Sequence, residues 1–161
     1  MVNQLLPQRI DNTYRGHKLA LWLFALVVSV KILQSLMVIF NGYSIARSAD
    51  GIPLETFTPA AAQAVVAVFA LSGLSRLIIS LLCVLVLVRY RSAITFMFAL
   101  LVLDYLVRQL ILHFVPLVST GTPPGPVVNL IVFALMIVGL ALSLWSQDNL
   151  QAQDSGASIR T

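Results

Sequence analysis

The chain has 161 residues, of which 59% are hydrophobic and 10% are charged, and its mean hydropathy is +0.94. A soluble domain carries about 25% charged residues, so this composition excludes an ordinary soluble domain and indicates an integral membrane protein. Ten Lys and Arg against six Asp and Glu give a net charge of +4. Because the basic residues are scattered over segment ends and apolar segments, they indicate membrane orientation and do not predict nucleic-acid binding.

Four apolar segments are long enough to cross a bilayer, which takes about 20 residues per helix. They predict an all-α integral membrane protein, a four-transmembrane-helix bundle. The expected membrane domain covers residues 19–145, with spans at about 19–40, 59–88, 92–115 and 127–145. Thr58 followed by Pro59 is typical of a helix start, because threonine caps a helix and proline suits its first turn.

The polar segments predict the ends of the chain and the connections. We expect residues 1–18, which carry Arg9, Arg15 and Lys18, to form a basic cytoplasmic leader. The first span carries Lys31 and is longer than the apolar part of a signal peptide, so we expect an uncleaved anchor. Residues 41–58 and 116–126 contain the Gly and Pro typical of loops. The polar residues 146–161 predict a disordered cytoplasmic tail.

The distribution of Lys and Arg predicts the orientation, because basic loop residues are retained in the cytoplasm. Six of them lie on one side of the predicted bundle, and Arg47 alone lies on the other. The six are Arg9, Arg15, Lys18, Arg89, Arg91 and Arg160. We therefore predict a multi-pass protein of a bacterial inner (plasma) membrane with both termini in the cytoplasm.

Four charged residues interrupt the predicted spans, namely Lys31, Arg76, Asp104 and Arg108. A charge at the membrane centre costs about 2.5–3.5 kcal/mol, so such residues usually face the bundle interior and mark function. Lys31, Arg76 and Asp104 each lie thirteen residues from a basic residue at the inner edge, a depth of about 20 Å. Arg108 follows Asp104 by one turn on the same helix face. The sequence predicts a buried charge network at the midplane, in which Asp104 pairs with Arg76 and Arg108 flanks the carboxylate.

Two interpretations of this network stay open. In the structural one, the charges hold the helices together. In the functional one, the excess of bases awaits an anion, which is a solute, a lipid headgroup or an acidic residue on a partner helix. The fourth span has no charge, and we expect it to pack at the periphery. Its Gly139-x-x-x-Ser143 pattern allows close helix approach and predicts, weakly, a contact between copies of the chain.

Several site chemistries find no support in the sequence. Cys83 is the single cysteine, so no intramolecular disulfide is expected. His17 and His113 fall at opposite faces of the membrane and cannot ligate one haem within a chain. No Cys, His, Asp or Glu spacing suits a metal site, so neither a metal nor a cofactor is expected. No catalytic motif occurs, and we expect no enzyme.

The function expected from these features is that of a non-enzymatic accessory or interaction subunit, acting through the midplane charged face. The alternative is an oligomeric transporter or channel for an anionic or weakly acidic solute. The expected partners are the lipid bilayer and either a membrane-protein partner or further copies of the chain, with an anionic ligand in the functional interpretation. No motif in the sequence resembles a named family.

Overall fold

The structure is a computed structural model that describes residues 18–116, 119 and 122–158, with the backbone alone described from residue 146. The predicted leader, apart from Lys18, lies outside the described residues. The described residues form five α-helices, which are α1 (Lys18–Phe40), α2 (Gly42–Ser48), α3 (Pro59–Arg89), α4 (Ile94–Phe114) and α5 (Gly125–Ser158). Two 3-10 turns precede α3 and α4, at Leu54–Thr56 and Arg91–Ala93.

Four of these helices, α1, α3, α4 and α5, are long and apolar enough to cross a membrane. This confirms the predicted all-α protein with four helices long and apolar enough to span a membrane. The predicted start of α3 is also confirmed. The Ala61 N–H donates to Thr58 Oγ1 at 3.3 Å, and Pro59 occupies the first turn.

The last helix is longer than its membrane span. The apolar part of α5 ends at Trp145, but the helix continues to Ser158 through the segment for which the sequence predicts disorder. The segment contains no proline, and it extends a helix that already exists. Adding residues to an existing helix avoids the cost of nucleation, which explains why a polar sequence continues as helix here.

The helices are arranged in the order α3, α1, α5, α4 around the bundle. α1 packs along α3 and α5, and α5 packs along α4, whereas α3 and α4 have few contacts although a tight turn joins them. The expectation that the fourth span packs peripherally is therefore wrong. α5 contributes the buried Val132, Met136 and Ser143. The absence of charge made α5 appear peripheral, yet packing depends on the shape of its apolar face.

The hydrophobic core fills the half of the bundle nearest the start of α1 and the turn between α3 and α4, which we call the terminal half. Phe24 of α1 and Phe98 of α4 meet edge to face, with ring centroids 5.0 Å apart. Phe98 lies directly on Gly139 of α5, where any Cβ would overlap the ring. The hydroxyls of Thr95 and Ser143 form a buried hydrogen bond beside this contact.

The Gly139-x-x-x-Ser143 pattern thus joins two helices of the same chain. Gly139 and Ser143 are both buried against α4. The predicted contact between copies through this pattern is wrong, because the face is not available to a second molecule. The prediction of close helix approach is right, since a small residue here lets the Phe98 ring reach the α5 backbone.

Residues 41–58, predicted as a loop, contain α2 and the first 3-10 turn and fold against the bundle. We call this segment the cap. Ala46, Ile52 and Leu54 are buried and pack against side chains of α3. The chain turns at Gly51, whose φ of 69° lies in the left-handed region that favours glycine. The Ile52 N–H then donates to the Ala46 carbonyl at 2.9 Å. The cap is therefore attached to the end of α3 that lies opposite the terminal half, which we call the loop half of the bundle.

Candidate functional site

A cavity of about 540 Å³ lies in the loop half of the bundle. α1, α3 and α4 supply most of its wall, and the cap, the connection before α5 and the start of α5 form its rim. The rim residues Pro116, Ser119 and Pro126 are exposed. Ser80 and Leu101 line its deep end, next to the core. The cavity therefore extends from the loop end to about the middle of the bundle, and its size is typical of a small-molecule site.

All four charged residues predicted from the spans line this cavity. Lys31 comes from α1, Arg76 from α3, and Asp104 and Arg108 from α4. Lys31, Arg76 and Arg108 are partly buried, and Asp104 is exposed. The residues that lie thirteen positions from a basic residue at a predicted span end thus line one cavity from three helices.

The ion pair predicted between Asp104 and Arg76 does not form. Within the described residues, the ion pair that forms joins Arg47 Nε to Glu55 Oε2 at 3.6 Å, on the exposed surface of the cap. Arg76 Nε is buried and has no hydrogen-bond partner. The reason is the arrangement of the helices, because α4 packs on α5 and stands away from α3. Asp104 and Arg76 therefore face the same cavity from two separated walls.

Asp50 of the cap is a fifth charged residue in the cavity, and the sequence did not predict a role for it. The cap holds this residue over the rim, because the Gly125 N–H donates to the Ala49 carbonyl at 2.9 Å. A Cβ on Gly125 would lie 3.0 Å from Asp50 Oδ1, so the carboxylate sits beside the first turn of α5. The positive end of a helix dipole favours a carboxylate there. The apolar residues that flank Asp50 in sequence were the available signal for a folded cap.

The charges in the cavity do not balance, since three basic and two acidic side chains line it. The formal excess is one positive charge. Arg76 interacts electrostatically with Asp50, Asp104 and Arg108, and Lys31 interacts with Asp104. Burial raises the pKa of the Asp50 carboxyl above its usual value, and the positive charges of Arg76 and Arg108 oppose this shift. Opposite charges therefore share the cavity without a direct ion pair.

The uncharged lining combines hydrogen-bonding and apolar groups. Gln109 Nε2 donates to the Tyr105 hydroxyl at 2.9 Å, and the Tyr105 ring stacks on Phe133 of α5 with centroids 4.3 Å apart. Ser35 and Ser80 donate to carbonyls of their own helices, so their protons are not directed across the cavity. Apolar side chains complete the wall, namely Val68, Phe69, Ile79, Leu101 and Leu112. This lining suits a ligand with a charged end and an apolar body.

The described cysteine and histidine side chains do not line the cavity. Cys83 is buried in the core, and His113 packs against the ring of Phe114. In the part of the chain that the structure describes, no three His, Cys, Asp or Glu residues are grouped as a metal site would need. His17 lies outside the described residues.

No protein-family model, curated protein or solved structure matches the chain.

Proposed function

We propose that this multi-pass membrane protein binds a small anionic or weakly acidic solute in its cavity, as a subunit of an oligomeric transporter or channel. The observation that supports this is the convergence of Lys31, Arg76 and Arg108 from three helices on one cavity with an excess of positive charge. Guanidinium groups match carboxylate and phosphate oxygens in geometry and charge. Such an anion would also give the unpartnered Arg76 Nε–H an acceptor, and leaving a buried donor unpaired is costly.

The proposed solute enters from the loop half. The core of Phe24, Phe98 and Met136 closes the terminal half of the bundle. Four helices seldom enclose a complete pathway, which is why the proposal includes several copies of the chain. Passage across the membrane would require the core to rearrange or a second copy to complete the path. No step of this proposal makes or breaks a covalent bond, so the protein is not proposed to be an enzyme.

A second candidate is an accessory subunit whose charged cavity receives an acidic residue of a partner helix. The sparse contacts between α3 and α4 favour it, because that side of the bundle is the least closed. A helix inserted there would meet Asp104 and the basic residues together. Purification in mild detergent separates the candidates, since a stoichiometric partner supports the accessory subunit and a homo-oligomer that anions stabilise supports the transporter.

We also propose that both termini lie in the cytoplasm of a bacterial cell, with the cavity open to the outside. The support is the six-to-one distribution of basic residues described above. Reporter fusions after Asp50 and Gly121 should give an external signal, and fusions after Arg91 and Asp148 a cytoplasmic one. A cytoplasmic signal at Gly121 would contradict the proposed topology.

Anion binding is tested by thermal unfolding of the purified protein in detergent, with benzoate and inorganic phosphate as probes. A ligand at about 100 times its Kd stabilises the folded state by about 2.7 kcal/mol. We expect Arg76→Gln and Lys31→Gln to lose most of this stabilisation while still inserting into the membrane. Arg47→Gln is the matched control, because Arg47 lies on the exposed surface of the cap and pairs with Glu55. Full stabilisation of both cavity variants would overturn the proposal.

A further inference from the structure

Asp50 belongs to the cap, whereas Arg76 and Arg108, with which it interacts, belong to spanning helices. Its backbone position is set from two sides. The Ala49 carbonyl accepts a hydrogen bond from the start of α5, and the cap cluster of Ile52 and Leu54 packs on α3. The carboxylate is therefore held at the cavity rim, within the electrostatic field of two guanidinium groups that an incoming anion would use.

We infer that Asp50 is an internal counter-ion of the cavity, and that an organic anion binds there together with a proton that the Asp50 carboxylate takes up. The inference rests on the proposed function and adds the way in which binding at that site depends on pH. An anion near Arg76 and Arg108 also lies near Asp50, and two adjacent negative charges repel each other. Protonating Asp50 removes that repulsion and leaves the guanidiniums free to face the ligand.

The proton balance of this step is simple. One proton moves from water to an Asp50 carboxylate oxygen, one O–H bond forms, and the bound anion keeps its charge. Nothing is oxidised or reduced. Because binding and protonation are linked, the anion strengthens proton binding by the same factor by which the proton strengthens anion binding.

The charged side chains that share the cavity with Asp50 come from three spanning helices. α3 presents Arg76, α4 presents Arg108 and Asp104, and α1 presents Lys31. The described part of α5 contributes polar Asn129 and its N-terminal turn to the lining. On the cap itself, Arg47 and Glu55 pair with each other on the exposed surface. The bases that face Asp50 are therefore shared with the proposed ligand.

Asp50 differs in position from Asp104, the other acid of the cavity. Asp104 is exposed on a spanning helix and lies at the deeper level of the cavity with Lys31 and Arg76, whereas Asp50 lies at the rim beside the start of α5. Asp50 belongs to the cap and is partly buried at the cavity rim, and burial raises its pKa. A carboxyl with a raised pKa gains a proton more readily when a second negative charge arrives.

The test measures benzoate binding to the full chain in detergent by calorimetry, between about pH 8 and about pH 5, a range in which benzoate itself is largely ionised. For the wild type, we expect binding to tighten by at least about fivefold toward the acidic end, which is a typical coupling between linked sites. We also expect proton uptake on binding, which is measured by repeating the titration in buffers of different ionisation enthalpy. Asp50→Asn should bind benzoate at every pH as tightly as the wild type does at the acidic end.

The matched control is Glu55→Gln, which removes the same charge from the same cap but outside the cavity. It should keep the pH dependence and the proton uptake of the wild type. Wild-type binding without pH dependence, or an unchanged pH dependence in Asp50→Asn, would overturn the inference and leave the proposed function standing. Loss of the pH dependence in Asp104→Asn alone would move the proton to Asp104 and also overturn it. If neither the wild type nor Asp50→Asn binds benzoate or phosphate, the proposed function itself fails.

Discussion

The two halves of this bundle are built from the same helices and differ in what lies between them. In the terminal half, Phe24, Phe98 and Met136 are fully buried and the Phe98 ring of α4 lies on Gly139 of α5. In the loop half, the same helices enclose about 540 Å³ lined by charged side chains. α4 belongs to both halves, and its residues change from a packed core at Phe98 to a cavity wall at Asp104 within two turns.

This difference predicts that substitutions in the two halves have different effects. Close packing against Gly139 holds α4 to α5 and supplies stability, because dense apolar contacts lose most when disturbed. The loop half tolerates charges that would be costly in a core, because they face a cavity that is open at its rim. If the cavity of the loop half binds the proposed anion, substitutions in the two halves should have separable effects on stability and on binding.

The largest effect is expected in the terminal half. Phe98→Ala removes a fully buried ring from the contact with Phe24 and Gly139, and should lower the free energy of unfolding by about 3–5 kcal/mol. Phe114→Ala on the same helix is the control, because Phe114 is 74% exposed and should have little effect. Thermal or denaturant unfolding in detergent measures both. Similar losses in the two variants would show that Phe98 is not part of a distinct core.

A smaller loss is expected from overpacking the same contact. Gly139→Leu places a side chain where a Cβ already overlaps Phe98, and should destabilise the protein by about 1–3 kcal/mol. Ala141→Leu adds the same side chain to the exposed side of α5 and should be nearly neutral. Both are measured by thermal unfolding. If Gly139→Leu were as stable as Ala141→Leu, the close approach of α4 and α5 would be refuted.

Charge removal in the loop half should cost less. Asp104→Asn loses attraction to Lys31 and Arg76 but breaks no ion pair, so we expect a loss of about 0.5 kcal/mol, typical of exposed charges. Arg108→Gln removes a base that repels Lys31 and Arg76, and should be neutral or slightly stabilising. Their unfolding temperatures are compared under one condition. If Asp104→Asn lowered the free energy of unfolding by several kcal/mol, that result would support the buried ion pair with Arg76 that the sequence predicts.

The smallest effect concerns pH. Because the pKa of Asp50 is raised in the folded protein, ionising Asp50 costs stability, and that cost develops as the pH rises above the ordinary carboxyl value of about 4. Asp50→Asn should therefore melt slightly higher than the wild type at neutral pH, by about 1 °C, since solvent screens a partly exposed group. The difference should vanish as the pH falls toward 4. A difference that grows on acidification would give the opposite sign to the shift.

The sequence predicted the features that depend on composition along one helix. Length and hydropathy give the four spans, because the bilayer thickness sets the number of apolar residues that each must contain. Thr58 and Pro59 give the start of α3, because capping involves neighbouring residues only. The positions of Lys31, Arg76 and Asp104 give their common depth, because every residue advances a helix by the same rise.

Only the tertiary structure decided which of those helices pack against one another and which side chains meet. The order α3, α1, α5, α4 leaves α3 and α4 apart, so the predicted Asp104–Arg76 pair is replaced by a shared cavity. The fit of Phe98 onto Gly139 makes the last span central, although its sequence carries no charge to suggest it. Asp50 reaches the cavity because the cap packs on α3 and is hydrogen-bonded to the start of α5. The latter contact joins residues that are far apart in the chain. A sequence pattern shows the periodicity within each helix. Which helices pack together depends on how well the side chains of separate helices fit one another in shape.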